Sequence, residues 1–203
     1  MTPSQAHRDL CDAIARLCAD FPGEYWRKLD RAQDQAGLSR SNHRALGGWH
    51  SKNELHKAPE FAPLVAHINE ACTHISATLG YDPKWPLKIG TMWSIINPPG
   101  SSNRAHIHPG SLWSGVYYVA APENAGMIEF IDPRTAHLMN APRYIEGKQR
   151  AQACWTKVKY DPIPGKMLIF PSHLYHAVEP NLATATGRAA DRVIVSFNLG
   201  QRG

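Results

Sequence analysis

Cysteine is scarce in this sequence. Only Cys11, Cys18, Cys72 and Cys154 occur in 203 residues, with no C-x-x-C pair and no metal-ligand spacing among them. A disulfide framework and a thiolate metal site are thereby set aside, and Cys11 and Cys18 read as buried free thiols of one helix. Basic runs are also missing. Lys and Arg number 22 against 17 Asp and Glu, a scattered excess of +5 that implies no nucleic-acid surface. It suits an anionic small molecule held at one local arginine. No apolar stretch approaches the ~20 residues of a membrane span, and the N-terminus lacks the basic lead-in and apolar segment of a secretory signal. These absences lead us to expect a reduced, soluble, cytoplasmic protein. Repeats and low-complexity tracts are lacking too, while 43% hydrophobic and 19% charged residues are ordinary for a globular chain.

The texture changes near residue 80. Before it the sequence reads as helical. In "SQAHRDLCDAIARLCADF", Leu10, Ile14, Leu17, Cys18 and Phe21 recur at helical period, and "GEYWRKLDRAQDQAG" ends at Gly37. The clearest helix is "APEFAPLVAHINEACTHISATLG". Phe61, Leu64, Val65, Ile68, Cys72, Ile75 and Leu79 fall on one face, His67 and His74 fall off it, and Gly80 follows the end. After Tyr81, short apolar runs alternate with Pro, Gly and Asn: "LKIGTMWSIIN", "LWSGVYYVAA", "GMIEFIDP", "ACWTKVKY", "GKMLIFP" and "RVIVSFNL". No helix lies between them to cross over parallel strands, so the sheets should be antiparallel. The fold class is α+β, one integrated domain. A helical portion over 1–80 packs on a β-sandwich or jelly roll over 81–203.

Histidine is placed where chemistry is expected. "AHIHPGSLWSGVYYV" sets His106 and His108 one residue apart at the mouth of a strand. On a strand, residues i and i+2 share a face, roughly 6–7 Å apart, close enough to converge on one ion. A third ligand is wanted, and "PIPGKMLIFPSHLYHAVEPN" offers His173 and His176 after a Gly turn and a strand. In "DRVIVSFNL", Arg192, Ile194, Ser196 and Asn198 share one strand face, and Val193, Val195 and Phe197 the other. A lone guanidinium on the more polar face suggests an anion site that grips a carboxylate bidentately.

This order resembles that of the jelly-roll (double-stranded β-helix, cupin-like) oxygenases that use Fe(II) and 2-oxoglutarate. It runs from His-x-ligand through an apolar strand, a Gly turn and strand, and a distal His, to an Arg opening the last strand. It is most similar to a group of small bacterial and phage-encoded 2-oxoglutarate oxygenases with an H-x-H-P-x-S-x-x-S-G-V-Y-Y core. The resemblance is close over 90–200 and loose over "GGWHSKNELH" at 47–56. It implies His106 as first metal ligand, His176 as distal ligand, and His108 where the wider superfamily carries Asp or Glu. Arg192 would pair with the far carboxylate of 2-oxoglutarate. Ser196, Asn198 and Tyr117 or Tyr118 would assist, and Ile194 stands where many relatives have Ser. Trp113 would line a substrate cleft, and Trp49 belongs to a loop that is either a lid or a connector.

Three neutral imidazoles leave the site one charge more positive than two imidazoles and a carboxylate. Asp132 in "EFIDPR" is the nearest carboxylate that could stand in. The activity implied is oxidation of a substrate C–H bond, with succinate and CO2 as co-products and O2 as co-substrate. Two readings compete with it. One is a cupin-like three-His dioxygenase that binds its substrate on the metal without 2-oxoglutarate, and the other is a non-catalytic jelly-roll ligand-binding protein. Small molecules and peptides both fit as substrate, and exposed strand edges can pair two copies into a homodimer.

Overall fold

Ten strands and one α-helix organise the described part of the chain, which in this computed structural model comprises residues 45, 46, 48–133, 142–149, 151, 154 and 156–201. The two helices expected before residue 38, with Cys11 and Cys18, lie outside the described residues. The third expected helix is α1, Ala62–Leu79. Gly80 ends it in the left-handed region, at φ 68°, and Tyr81 N–H donates to the Ser76 carbonyl over the last turn. Phe61, Leu64, Ile68 and Cys72 are buried, and His67 and His74 are exposed as the periodicity indicates. Leu79 departs from the expected stripe. It is 51% exposed, in the last turn of the helix.

The strands are β1 (Ala45–Leu46), β2 (Trp49–His50), β3 (Lys88–Asn97), β4 (Ser102–His106) and β5 (Trp113–Ala120), then β6 (Ile128–Ile131), β7 (Lys157–Tyr160), β8 (Met167–Pro171), β9 (Tyr175–Val178) and β10 (Arg192–Gly200). They form two five-stranded sheets, ordered β2-β3-β10-β5-β8 and β1-β4-β9-β6-β7, and every pairing is antiparallel. This is the expected jelly roll, and all six apolar runs became strands. Three strands outside those runs, β1, β4 and β9, complete the second sheet, and β2 adds an edge to the first.

Two apolar clusters fix the faces of the first sheet. Val119, Val195, Phe197, Leu199 and Met92 pack with Leu64, Ile68 and Cys72 of α1. Trp93, Ile95, Val116, Tyr118 and Ile194 point the other way and meet Ile128 and Phe130 of the second sheet. The first sheet is thus buried on both faces, which is why its strands read as continuous apolar runs. Gly115 has a packing reason. A Cβ there would stand 2.2 Å from Phe197 Cζ, so the glycine gives the ring its room. The "GGWHSKNELH" segment is a connector. β2 pairs Trp49 with Ile96 and His50 with Ile95, and Ser51 N–H continues the ladder to the Ser94 carbonyl.

Candidate metal centre

β4 and β9 lie side by side and place His106 directly opposite His176. β4 ends at His106, and His108 follows in the turn, where its N–H donates to the Ser172 carbonyl at 3.0 Å. The expected i, i+2 pairing on one strand is therefore met by a strand end and a turn. The convergence survives this: one ring nitrogen from each of His106, His108 and His176 lies within 4.8 Å of the others.

Hydrogen bonds set the ring tautomers. His106 Nδ1 donates to the Arg104 carbonyl at 2.7 Å and His176 Nδ1 to the Leu174 carbonyl at 3.0 Å, which leaves each Nε2 a lone pair. His176 Nε2 stands 3.2 Å from His108 Nε2. Two ring nitrogens at that distance hold either a proton or a metal ion between them. His176 is buried, with Phe170 edge-on at 4.7 Å and Phe130 edge-on to Phe170. His108 stacks on Trp93 at 6.0 Å, and Trp93 stacks in turn on His50 at 5.5 Å. Burial lowers the His50 pKa from the ordinary imidazole value, disfavouring its charged form.

A polar chain supports the turn that carries His108. Asn198 Nδ2 donates to Thr91 Oγ1, Ser114 Oγ donates to Asn198 Oδ1 at 2.8 Å, and Ser114 and Ser172 share a hydroxyl hydrogen bond. Ser172 is the residue whose carbonyl receives His108 N–H.

Arg192 occupies the far end of the same interior. It is fully buried, and its Nη1 donates to the carbonyls of Ala125, Gly126 and Glu179. Its Nε and Nη2 have no hydrogen-bond partner among the described residues. Burial pushes its pKa down to about 10 and that of the neighbouring Tyr118 up to about 12, so at pH 7 the guanidinium is charged and the phenol neutral. Ser196 lies four positions along β10 from Arg192, roughly 13 Å of strand. Ser196 lies opposite Trp93, the residue on which His108 stacks.

The family model described as "Putative 2OG-Fe(II) oxygenase" matches residues 91–198, more than half of the chain. The chain belongs to this family. Solved structures share the fold. They include a Pseudomonas putida prolyl-4-hydroxylase (18% identity, 98% of this chain and 89% of that one, TM-score 0.55). AviO1 from Streptomyces viridochromogenes Tue57 matches with 14% identity, 98% and 86% coverage and a TM-score of 0.57. The alpha-ketoglutarate-dependent carbocyclase SnoK from nogalamycin biosynthesis matches with 13% identity, 98% and 76% coverage and a TM-score of 0.56. No curated protein matches the sequence.

The residues of this 2OG-Fe(II) oxygenase fit both groups the family uses. Imidazoles at roughly 2.1 Å from a divalent ion and at right angles lie about 3.0 Å apart, close to the 3.2 Å between His108 and His176. The unpaired Nε–H and Nη2–H of Arg192 are two donors of one fork, the geometry a carboxylate takes up.

Among the described residues, the gathered group is the three histidines alone; Asp132 is not part of it. His173 and Arg188 are exposed, in the turn before β9 and in the turn before β10. Ser196 and Asn198 share the inner face with Arg192. Tyr117, Trp113 and Trp49 do not. Tyr117 and Trp113 pack on the helix side, where Trp113 Nε1 donates to the Tyr81 hydroxyl, and Trp49 pairs with Ile96 on that same outward face. On the first sheet's inner face the aromatic rings are instead those of Tyr118, the other tyrosine of the expected pair, Trp93, in register with Ser196, and His50, next to Trp49. No helix among the described residues is long and apolar enough to cross a membrane.

Proposed function

We propose that His106, His108 and His176 hold the Fe(II) of this oxygenase and that Arg192 receives the far carboxylate of 2-oxoglutarate. The observation that carries the reading is one interior with two complementary ends. Three imidazole nitrogens converge at one end, and a buried guanidinium with two unpaired N–H groups stands at the other.

Bound together, the iron and the keto acid supply the oxidising chemistry, in which O2 and 2-oxoglutarate give succinate and CO2 as a substrate C–H bond is oxidised. The chain's own residues orient and enclose. The carbonyls of Arg104 and Leu174 fix the His106 and His176 rings and raise their basicity as ligands. Arg192 supplies the counter-charge in a place shielded from water, where a charged hydrogen bond is strong. Phe130, Phe170 and Trp93 wall the histidines with apolar surface. Asn198, Ser114 and Ser172 support the turn that carries His108.

The test is succinate formation from 2-oxoglutarate with added Fe(II) under air. We expect iron-dependent succinate from the wild type and none from His176→Ala. Arg192→Ala should need about 30-fold more 2-oxoglutarate or beyond, the effect of removing one partner of a buried charged pair. The three-imidazole set also suits a dioxygenase that ligates its substrate directly, Arg192 then taking a substrate carboxylate. Iron-dependent O2 uptake without succinate would support that alternative and contradict ours.

A further inference from the structure

Asn97 lies directly opposite Arg192 in the β3–β10 ladder, on the face that looks into the interior. Both side chains are fully buried. Among the described residues, neither Nδ2 nor Oδ1 of Asn97 has a hydrogen-bond partner, and Arg192 lacks one at Nε and Nη2. A buried polar group left unpaired costs free energy on folding. Here such atoms gather on two facing residues, at the end of the interior where the keto acid's far carboxylate is placed.

The backbone around them is, by contrast, well paired. Asn181 Nδ2 donates to the Asn97 carbonyl at 2.9 Å and to the Ala190 carbonyl at 2.8 Å, and Ala183 N–H donates to Asn181 Oδ1. Asn181 thus ties the end of β3 to the start of β10 and holds the two residues face to face. Gly48 closes the site from the β2 side. Its φ is +104°, and a Cβ there would stand 2.6 Å from the Ile96 carbonyl oxygen and 3.0 Å from Asn97 Nδ2. Only glycine lets the chain pass that close above the amide.

We infer that Asn97 is a second binding residue for the distal carboxylate, its amide N–H donating beside the Arg192 fork. The inference rests on the proposed function. A carboxylate offers about four acceptor positions, so it can satisfy the fork and the amide together. A keto acid without a distal carboxylate leaves all of them unpaired, so the pair selects dicarboxylic keto acids. Asn103 also faces the interior with an unpaired atom, in register with Val178, but that atom is the acceptor Oδ1, which does not suit a carboxylate.

The experiment is calorimetric titration of anaerobic Fe(II)-loaded protein with 2-oxoglutarate and with 2-oxobutanoate, which lacks the second carboxylate. Wild type, Asn97→Ala, Asn97→Asp and Arg192→Ala are compared, with Fe(II) affinity measured for each. We expect Asn97→Ala to weaken 2-oxoglutarate about tenfold. Asn97→Asp, the same shape with a repelling charge, should weaken it further. Neither should change the affinity for Fe(II) or 2-oxobutanoate. Asn97 variants within twofold of wild type for 2-oxoglutarate would overturn the inference alone, provided Arg192→Ala is impaired. Equal losses for both keto acids would also overturn it, since the residue would then only shape the pocket. A wild type that does not bind 2-oxoglutarate, or binds it without regard to Arg192, would remove the proposed function and this inference together. If Asn97→Ala fails to fold, the near-isosteric Asn97→Asp decides.

Discussion

The two sheets face each other across one interior, yet they are built differently. The first is covered on its outer side by α1 and on its inner side by its partner, and β3 runs through six consecutive buried residues from Met92 to Asn97. The second has one buried face. β7 exposes Lys157, Lys159 and Tyr160, and β4 is nowhere fully buried. All three converging histidines come from the second sheet and the turn beyond β4. The unpaired groups of Arg192 and Asn97 come from the first. A tightly packed sheet would hold the proposed carboxylate site in fixed register, because core packing resists displacement. The shorter, half-exposed strands leave His106 and His108 partly exposed, so that on the proposed reading the metal ligands stand at the edge of the core.

Six substitutions sharpen or break this contrast, the largest effect first. His176→Ala should abolish Fe(II) binding, measured by anaerobic metal titration, while far-ultraviolet circular dichroism shows the fold retained. His108→Ala should also lose iron by more than the 10–100-fold expected of a merely supporting residue. Phe197→Ala, in the first sheet, removes a fully buried ring and should destabilise by about 3–5 kcal/mol, read as a lower melting temperature, with Fe(II) stoichiometry intact in the folded protein. The contrast fails if Phe197→Ala loses iron without loss of stability.

Asn181→Ala is intermediate. It strips partners from the buried Asn97 and Ala190 carbonyls, at about 1–3 kcal/mol for a group left unpaired. It should weaken 2-oxoglutarate more than Fe(II), as compared in parallel titrations. The smallest effect belongs to the exposed outer face of the second sheet. Lys159 bridges Glu129 and Glu179 there, and because an exposed ion pair is screened by water, Lys159→Ala should leave the urea-denaturation midpoint close to that of the wild type. Asp132→Ala should likewise leave iron stoichiometry unchanged, because the histidines gather without it.

The same contrast explains what the sequence revealed. β3, β5, β8 and β10 were legible because strands of a doubly buried sheet are apolar runs. β4 was not. "SNRAH" carries no strand pattern of its own and is extended because β1 and β9 pair with it. The histidines and Arg192 could be found because spacing and order carry them. Which tyrosine faces inward could not. With both faces of β5 apolar, alternation does not distinguish Tyr117 from Tyr118, and only the packing of α1 against one face decides it. Asn97 is silent in sequence for another reason. Its meaning comes from lying opposite Arg192, a matter of register between strands far apart in the chain.

The central claim is that three imidazoles hold the iron and Arg192 holds the keto acid beside it. The most direct measurement is an anaerobic titration with Fe(II) and then 2-oxoglutarate, followed by visible absorption in wild type and Arg192→Ala. The account predicts a weak charge-transfer band that needs both additions and requires a much higher 2-oxoglutarate concentration in the variant. Iron binding with no such band at any concentration of the keto acid would contradict it.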